Sequence, residues 1–190
     1  MLLRIALASL AGLSACAESD SVVTPPGTDG VVAPVDEGGL RQLADLSGSF
    51  AERFRIAGDG LEVTGPGQEI SLTFEVDGAD QLRQFDIKLV AEPADAFDLE
   101  NAEATVETPF VTPAPNGLVV TGAEVRVLGA SLTTSVSGSQ VLATMRVRTA
   151  SAYDASSEVR LVLTSLSLGP SSSERDEYDS DLGVGITLKR

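Results

Sequence analysis

A chain of 190 residues with no histidine, no tryptophan and one cysteine has no imidazole base or imidazole metal ligand, and it cannot close an internal disulfide. Its 28 Asp plus Glu against 13 Lys plus Arg give a formal net charge of −15, a surface that repels nucleic acid phosphates and anionic lipid headgroups. At 43% hydrophobic residues it still holds enough apolar material for a real core, so it is not an acidic disordered tail.

Residues 1–15 read as an export signal. Arg4 supplies the positive start, Ile5 through Leu13 an apolar stretch too short to span a bilayer, and small residues precede Cys16. The tetrapeptide Leu13-Ser14-Ala15-Cys16 resembles a lipobox, the cleavage and attachment motif of bacterial lipoproteins. That resemblance implies a mature chain starting at Cys16, with diacylglycerol on the thiol and an acylated amine. Several acyl chains hold a protein where a single one binds only reversibly. The competing reading is an ordinary secretory signal that happens to contain Ser-Ala-Cys. Ala17 in place of aspartate resembles the pattern of lipoproteins that proceed to the outer membrane of two-membraned bacteria. No later segment offers the run of about 20 apolar residues that a transmembrane helix needs, so the expected membrane contact is the N-terminal lipid alone.

Residues 16–48 are expected to be a flexible tether. Between 17 and 39 the sequence is mostly Ser, Thr, Pro, Gly, Val and acids, with Pro25-Pro26-Gly27 and Gly38-Gly39 as breakers and no apolar period. Leu40, Leu43 and Leu46 then recur at helical spacing, and Ser49 with Glu52 fits a capping box. Ser47-Gly48 interrupts that pattern, so the spacing predicts no more than a short helix or turn.

From Arg53 the period changes to two. Phe54 and Ile56 alternate with arginines; Ile70, Leu72, Phe74 and Val76 alternate with Ser71, Thr73 and Glu75; Phe85, Ile87 and Leu89 alternate with Asp86 and Lys88. Leu118, Val120, Val125 and Val127 lie either side of Gly122, which predicts a strand broken by a bulge or turn. Further strands carry Val141, Ala143, Met145 and Val147, then Val159, Leu161 and Leu163, and finally Val184, Ile186 and Leu188. Turn signals fall at Gly58-Asp59-Gly60, Gly65-Pro66-Gly67, Asp77-Gly78, Pro115-Asn116-Gly117, Ser137-Gly138 and Gly169-Pro170. Eight or so short strands, each with one apolar face, must stack face to face. The region 49–190 is therefore expected to be one all-β domain, an antiparallel two-sheet sandwich.

The strand texture also resembles a family. Gly65-Pro66-Gly67-Gln68-Glu69 leading into Ile70 through Val76 looks like the opening of a cohesin domain. Residues 81–99, in which a strand centred on Phe85 leads through a proline loop to Phe97-Asp98-Leu99, are similar to a second cohesin segment, and 141–147 to a third. The likeness covers roughly 61–188 and rests on hydrophobic patterns. It implies a jelly-roll sandwich shared with a superfamily of carbohydrate-binding modules, and a binding role rather than a catalytic one.

Chemistry-bearing residues are sparse. There is no Ser-His-Asp or Cys-His arrangement, and only Lys88 and Lys189 offer an amine, with Lys88 on the polar side of a strand. Glycosidase action needs two carboxylates at a fixed separation and a cleft to distort a sugar, which a small sandwich without aromatic lining does not suggest. The expectation is therefore no enzyme activity and no cofactor. In the acidic stretch 174–181, Asp176, Asp179 and Asp181 are candidate calcium ligands, set against the plainer reading of a solvated loop. With no Trp, Tyr153 and Tyr178, both expected in loops, are the candidates for stacking on a glycan. The favoured function is a lipid-anchored receptor or scaffold that binds a separate protein partner, dockerin-like as the cohesin resemblance implies. Polysaccharide binding and a purely structural envelope role are the alternatives.

Overall fold

The structure, a computed structural model, describes residues 41–59, 61–179 and 183–188, so Cys16, the expected signal, residues 16–40 of the tether and Asp181 lie outside it. Its strands run β1 (Arg41–Asp45), β2 (Arg53–Asp59), β3 (Glu69–Leu82), β4 (Gln84–Glu92), β5 (Phe97–Val106), β6 (Leu118–Thr121), β7 (Glu124–Ala130), β8 (Val136–Thr149), β9 (Arg160–Ser171), β10 (Glu174–Asp179) and β11 (Gly185–Thr187). One sheet has the order β1-β2-β3-β8-β5, the other β10-β9-β4-β7-β6, with β11 also on β9. Every pairing is antiparallel. The expected two-sheet sandwich is thus observed.

Period-two burial makes the seam between the sheets. On β3 the side chains Ile70, Leu72, Phe74 and Val76 are fully excluded from water while Ser71, Thr73, Glu75 and Asp77 face outward, half-exposed. From the other sheet Ile87 and Leu89 of β4, Val125 and Val127 of β7, and Leu161 and Leu163 of β9 join the same core. Aromatic rings finish it. Phe54 and Phe74 lie parallel with centroids 6.5 Å apart, and Phe110, from the loop after β5, meets Phe85 edge-on at 5.1 Å.

Several expectations are overturned. The leucine spacing suggested a short helix before the domain, but Arg41–Asp45 is an edge strand registered on β2 from Arg41 opposite Ala57 to Asp45 opposite Arg53. The backbone groups of β2 offer that segment more hydrogen bonds than one isolated helical turn. The sandwich therefore includes residues assigned above to the tether. Ser49 and Glu52 form no capping box: the Leu46 amide donates to Glu52 O and closes a β1–β2 turn. The acidic run is no solvated loop but edge strand β10, paired with β9.

Three turn signals also fall inside strands. Asp77-Gly78 and Ser137-Gly138 lie on β3 and β8, whose pairing puts Ala79 opposite Gly138 where the register shifts, and Gly169-Pro170 lies in β9. At these sites the left-handed backbone of Gly78 and Gly138 bends a strand instead of reversing it. Bulges also change which residues face inward. The register slip between Phe74 and Glu75 leaves Leu142 unmatched on β8, so Leu142 and Ala143 are both buried and Val141, expected inside, is half-exposed. A slip at Thr164 likewise passes the inward positions of β9 from Leu161 and Leu163 to Leu166 and Leu168.

The free side of β5 is partly closed by a 3₁₀ turn at Pro115–Gly117. Gly117 has φ +78, and a Cβ there would lie 1.8 Å from Ala104 O. Gly122, in the β6–β7 turn, has φ +61 with open space around it. Gly117→Ala should therefore destabilise the fold by about 3 kcal/mol or more, backbone strain plus overpacking, and Gly122→Ala by about 1–2 kcal/mol from strain alone. Urea unfolding of both variants measures the difference; equal losses would contradict the seating of this turn on β5.

Candidate functional site

The candidate residues are scattered. Tyr153 does sit in a loop, but it is 8% exposed and its hydroxyl donates to Val63 O at 3.1 Å. Tyr178 is on strand β10, half-buried against the core, not in a loop. With Tyr153 buried and Tyr178 half-buried, the two do not make an exposed stacking platform for sugar. Asp176 and Asp179 share β10, whereas Asp181 lies outside the described residues. Asp176 turns to the protein itself: its Oδ2 accepts from the Ser49 amide at 2.5 Å and the Phe50 amide at 3.0 Å. Among the described residues no three acidic side chains converge in a way that would hold a metal ion. The Asp176 contacts tie the β1–β2 turn of one sheet to the edge of the other. Beneath that tie, the Tyr178 hydroxyl is buried against Gly48 and the Asp176 carboxylate. Its pKa is pushed up to about 12, first by burial and then by the neighbouring Asp176 carboxylate.

The two outer faces differ in what they offer a partner. On the first sheet, charges close on one another: Arg55 spans Glu75 at 3.1 Å and Asp77 at 3.0 Å, Arg53 meets Asp45 at 3.0 Å, and Arg148 meets Glu69 at 3.0 Å. Such surface pairs are worth about 0.2–1 kcal/mol each, enough to keep the face solvated and self-satisfied.

The second sheet is more mixed. Cross-strand partners share a face, so its outward rows read Gly169-Gln84-Ala130, Ser167-Asp86-Leu128, Ser165-Lys88-Arg126-Val119 and Val162-Val90-Glu124-Thr121. Asp86 grips Arg126 through both carboxylate oxygens, with Nε–Oδ1 at 2.7 Å, and these hydrogen bonds raise the arginine pKa against the opposing effect of burial. Lys88 pairs loosely with Glu124 at 3.8 Å, the solvated role expected of it. The small residues Ser165, Ser167 and Gly169 leave the middle of the face low. A shallow depression of about 150 Å³ opens there between Gln84, Asp86, Leu128, Val111 and Arg175.

At this end of β7 are the most exposed large apolar side chains among the described residues: Val111, 60% exposed, on the rim of the depression, and Leu132, 82% exposed, in the loop after β7. Hydrogen bonds fix the backbone of both segments. Val111 and Ala130 exchange two backbone hydrogen bonds of 2.9 Å, which place Val111 next to β7. The Leu132 carbonyl accepts from Arg83 Nη2, the Ser131 amide donates to Arg83 O at 2.6 Å, and the Thr134 amide donates to the Ser131 hydroxyl at 3.1 Å. An exposed leucine on a braced loop is partly pre-organised for contact, since little loop ordering is left to do on binding. Sequence reading missed this corner, although one signal was present. With Val125 and Val127 inward, Leu128 has to face out.

No protein-family model matches this chain, and neither does any curated protein. Among solved structures it is similar to a cohesin module from the family 33 glycoside hydrolase of Clostridium perfringens, with TM-score 0.54 and 17% identity over 74% of this chain and 97% of that one. It is also similar to the sixth cohesin of scaffoldin B from Acetivibrio cellulolyticus, solved with a dockerin (TM-score 0.45, 15% identity, covering 70% and 89%). A non-cellulosomal cohesin from Archaeoglobus fulgidus aligns with TM-score 0.41 and 16% identity, covering 66% and 75%. The fold is therefore that of cohesin jelly-roll modules.

The inter-sheet tie can be tested directly. Asp176→Ala strands two backbone amides and should destabilise by about 1–3 kcal/mol, with Asp176→Asn, which keeps an acceptor, closer to wild type. Tyr178 holds its proton more tightly in the folded state, so its contribution is intact below pH 10 and is lost as pH rises from about 10 to about 12. Burial raises Tyr153 in the same direction. Tyr178→Phe should therefore flatten the alkaline fall in stability without abolishing it. Chemical denaturation at neutral and alkaline pH checks both; an unchanged alkaline slope in Tyr178→Phe would contradict the burial of that hydroxyl.

Proposed function

We propose that the sandwich is a non-catalytic recognition module that binds a separate protein through the outer face of the β10-β9-β4-β7-β6 sheet. The observation that carries this is the display of Val111 on the rim of a shallow depression and of Leu132 on the adjoining braced loop, on a face where Asp86 pairs with Arg126 and Lys88 with Glu124. Interfaces are dominated by a few apolar anchors surrounded by polar residues that exclude water, which is the composition of this corner. The four strands and four rows named above span roughly 14 by 20 Å at ordinary strand spacing and rise. A standard interface of roughly 800 Å² per partner takes in the rim loops around Val111 and Leu132 as well. The cohesin-like fold supports the same reading, and a dockerin-like protein is the class of partner it names.

On this reading Cys16 carries the lipid, the following residues act as the tether, and the module works at the cell envelope, in the outer membrane. A glycan-stacking role is disfavoured by the buried placement of Tyr153 and the half-buried placement of Tyr178.

The experiment is affinity capture from native envelope extract with the full chain and with Leu132→Ala and Val111→Ala variants. Wild type should retain one protein in stoichiometric amount. Loss of an anchor should weaken its isolated complex by about 2 kcal/mol, roughly thirtyfold, while Arg53→Ala on the opposite face should leave it unchanged. Retention indifferent to both anchor variants would refute this face. Separately, Cys16→Ser should shift the protein from membranes to the soluble periplasmic fraction; persistence in membranes would refute the lipid anchor.

A further inference from the structure

A more voluminous hollow than that depression lies away from that face. It opens at the end of the sandwich where β5 begins and β8 finishes, has a volume of about 700 Å³, and includes Asp95, Asp98, Glu100 and Arg148 in its wall and Phe97 and Leu99 at its base. A second hollow of about 390 Å³ continues from it along the first sheet, sharing Asp98 and Arg148 and adding Glu69, Asn101, Glu103 and Arg146. The larger hollow falls within the roughly 300–1,000 Å³ that small-molecule sites occupy.

The groove is created by an irregularity in one strand. Asp98 pairs with Arg148 and Glu103 with Arg146, so four residues of β5 stand opposite the single Val147 of β8. Of those four, Leu99 and Ala102 are buried and pin the bulge into the core, while Glu100 and Asn101 project outward. Bulges of this kind re-aim side chains beside functional sites. The re-aimed groups hold one another in place: Asn101 Nδ2 donates to both oxygens of Asp98, at 3.0 and 2.9 Å, and Glu69 holds Arg148 at 3.0 Å.

The chemistry of the walls narrows the occupant. Carboxylates and an amide oxygen supply acceptors, and two guanidiniums and an amide nitrogen supply donors, interleaved along one groove. An anion would face five carboxylates, Glu69, Asp95, Asp98, Glu100 and Glu103, and a cation would face Arg146 and Arg148. A hydroxyl both donates and accepts, so a run of hydroxyls satisfies both kinds of group without a net charge. The wall has no aromatic ring besides the buried Phe97, which leaves hydrogen bonding rather than stacking to hold a ligand.

We propose that the β5 bulge groove is a second binding site, for a neutral, hydroxyl-rich ligand, a short stretch of glycan chain. It is independent of the protein-binding face, which lies on the other sheet, and either assignment can fail without the other. One module would then grip a protein and a polysaccharide at once.

Native affinity electrophoresis of the full chain in detergent, through gels containing dextran, galactomannan, xylan or mixed-linkage β-glucan, tests the proposal. At least one neutral polysaccharide should retard the protein, with the same retardation at about 0.1 and about 1 M NaCl because no net charge is involved. Arg146→Ala, an exposed substitution that leaves the core intact, should weaken binding at least tenfold, and Asp98→Asn should do the same. Leu132→Ala should leave it unchanged. Circular dichroism confirms that each variant is folded; if Asp98→Asn does not fold, Arg146→Ala and Glu100→Gln decide. Migration unaffected by every polysaccharide overturns the assignment, as does retardation that survives Arg146→Ala. Binding of oligolysine alone, lost in salt, would show instead a simple acidic surface.

Discussion

Two apolar sheet faces pressed together without a disulfide have to exclude water along the whole seam, and everything else about this protein is built outward from that exclusion. The seam is made of side chains such as Phe54, Ile56, Leu72, Phe74, Ile87, Leu89, Met145 and Leu163, all at or near zero exposure. Each contributes about 1.5–3 kcal/mol by leaving water, opposed by the ordering of the chain that holds it. Because strand side chains alternate, fixing which residue points into the seam fixes which residue its neighbour shows to solvent. Binding surfaces on such a molecule are by-products of burial: Leu128 faces out because Val127 faces in.

That constraint explains why the two faces have different characters. The first sheet sets arginines beside acids on adjacent strands, and Arg55 with Glu75 and Asp77 illustrates a surface that satisfies itself. The second sheet places serines and a glycine of β9 at its centre and raises apolar anchors at one corner. Departures from regular pairing add the remaining features. The slip in β5 opens a polar groove, and the Asp176 tie joins the β1–β2 turn to β10 across the sheet boundary. A rigid platform with one mixed apolar face and one polar groove suits noncovalent recognition.

Much of the fold is legible in the sequence alone. Phe85, Ile87 and Leu89 announce β4, and Ile70 through Val76 announce β3, because a half-buried strand writes its geometry directly into alternate residues. What stayed hidden depended on partners distant in sequence. Leucines at helical spacing before residue 49 gave no hint that β2 had a free edge for Arg41–Asp45 to fill. The bulges at Leu142 and Thr164 arise from mismatched strand registers, which a single strand cannot reveal. Strand β10 has almost no apolar signal beyond Tyr178, since an edge strand is held mainly by its ladder. The site was less legible still. Tyrosine and aspartate were singled out for their chemistry, yet Tyr153 and Asp176 serve the fold, whereas Leu132 matters for an exposure that only the folded loop displays.

Native-state hydrogen exchange resolved by residue probes the seam most directly. Amides of Leu72, Phe74, Ile87, Leu89, Met145 and Leu163 should exchange slowest and with one common free energy, equal to that of global unfolding, while those of β1 and β10 open earlier. Exchange of these central amides as fast as the edge strands, or with separate energies in the two sheets, would contradict a single water-excluding core.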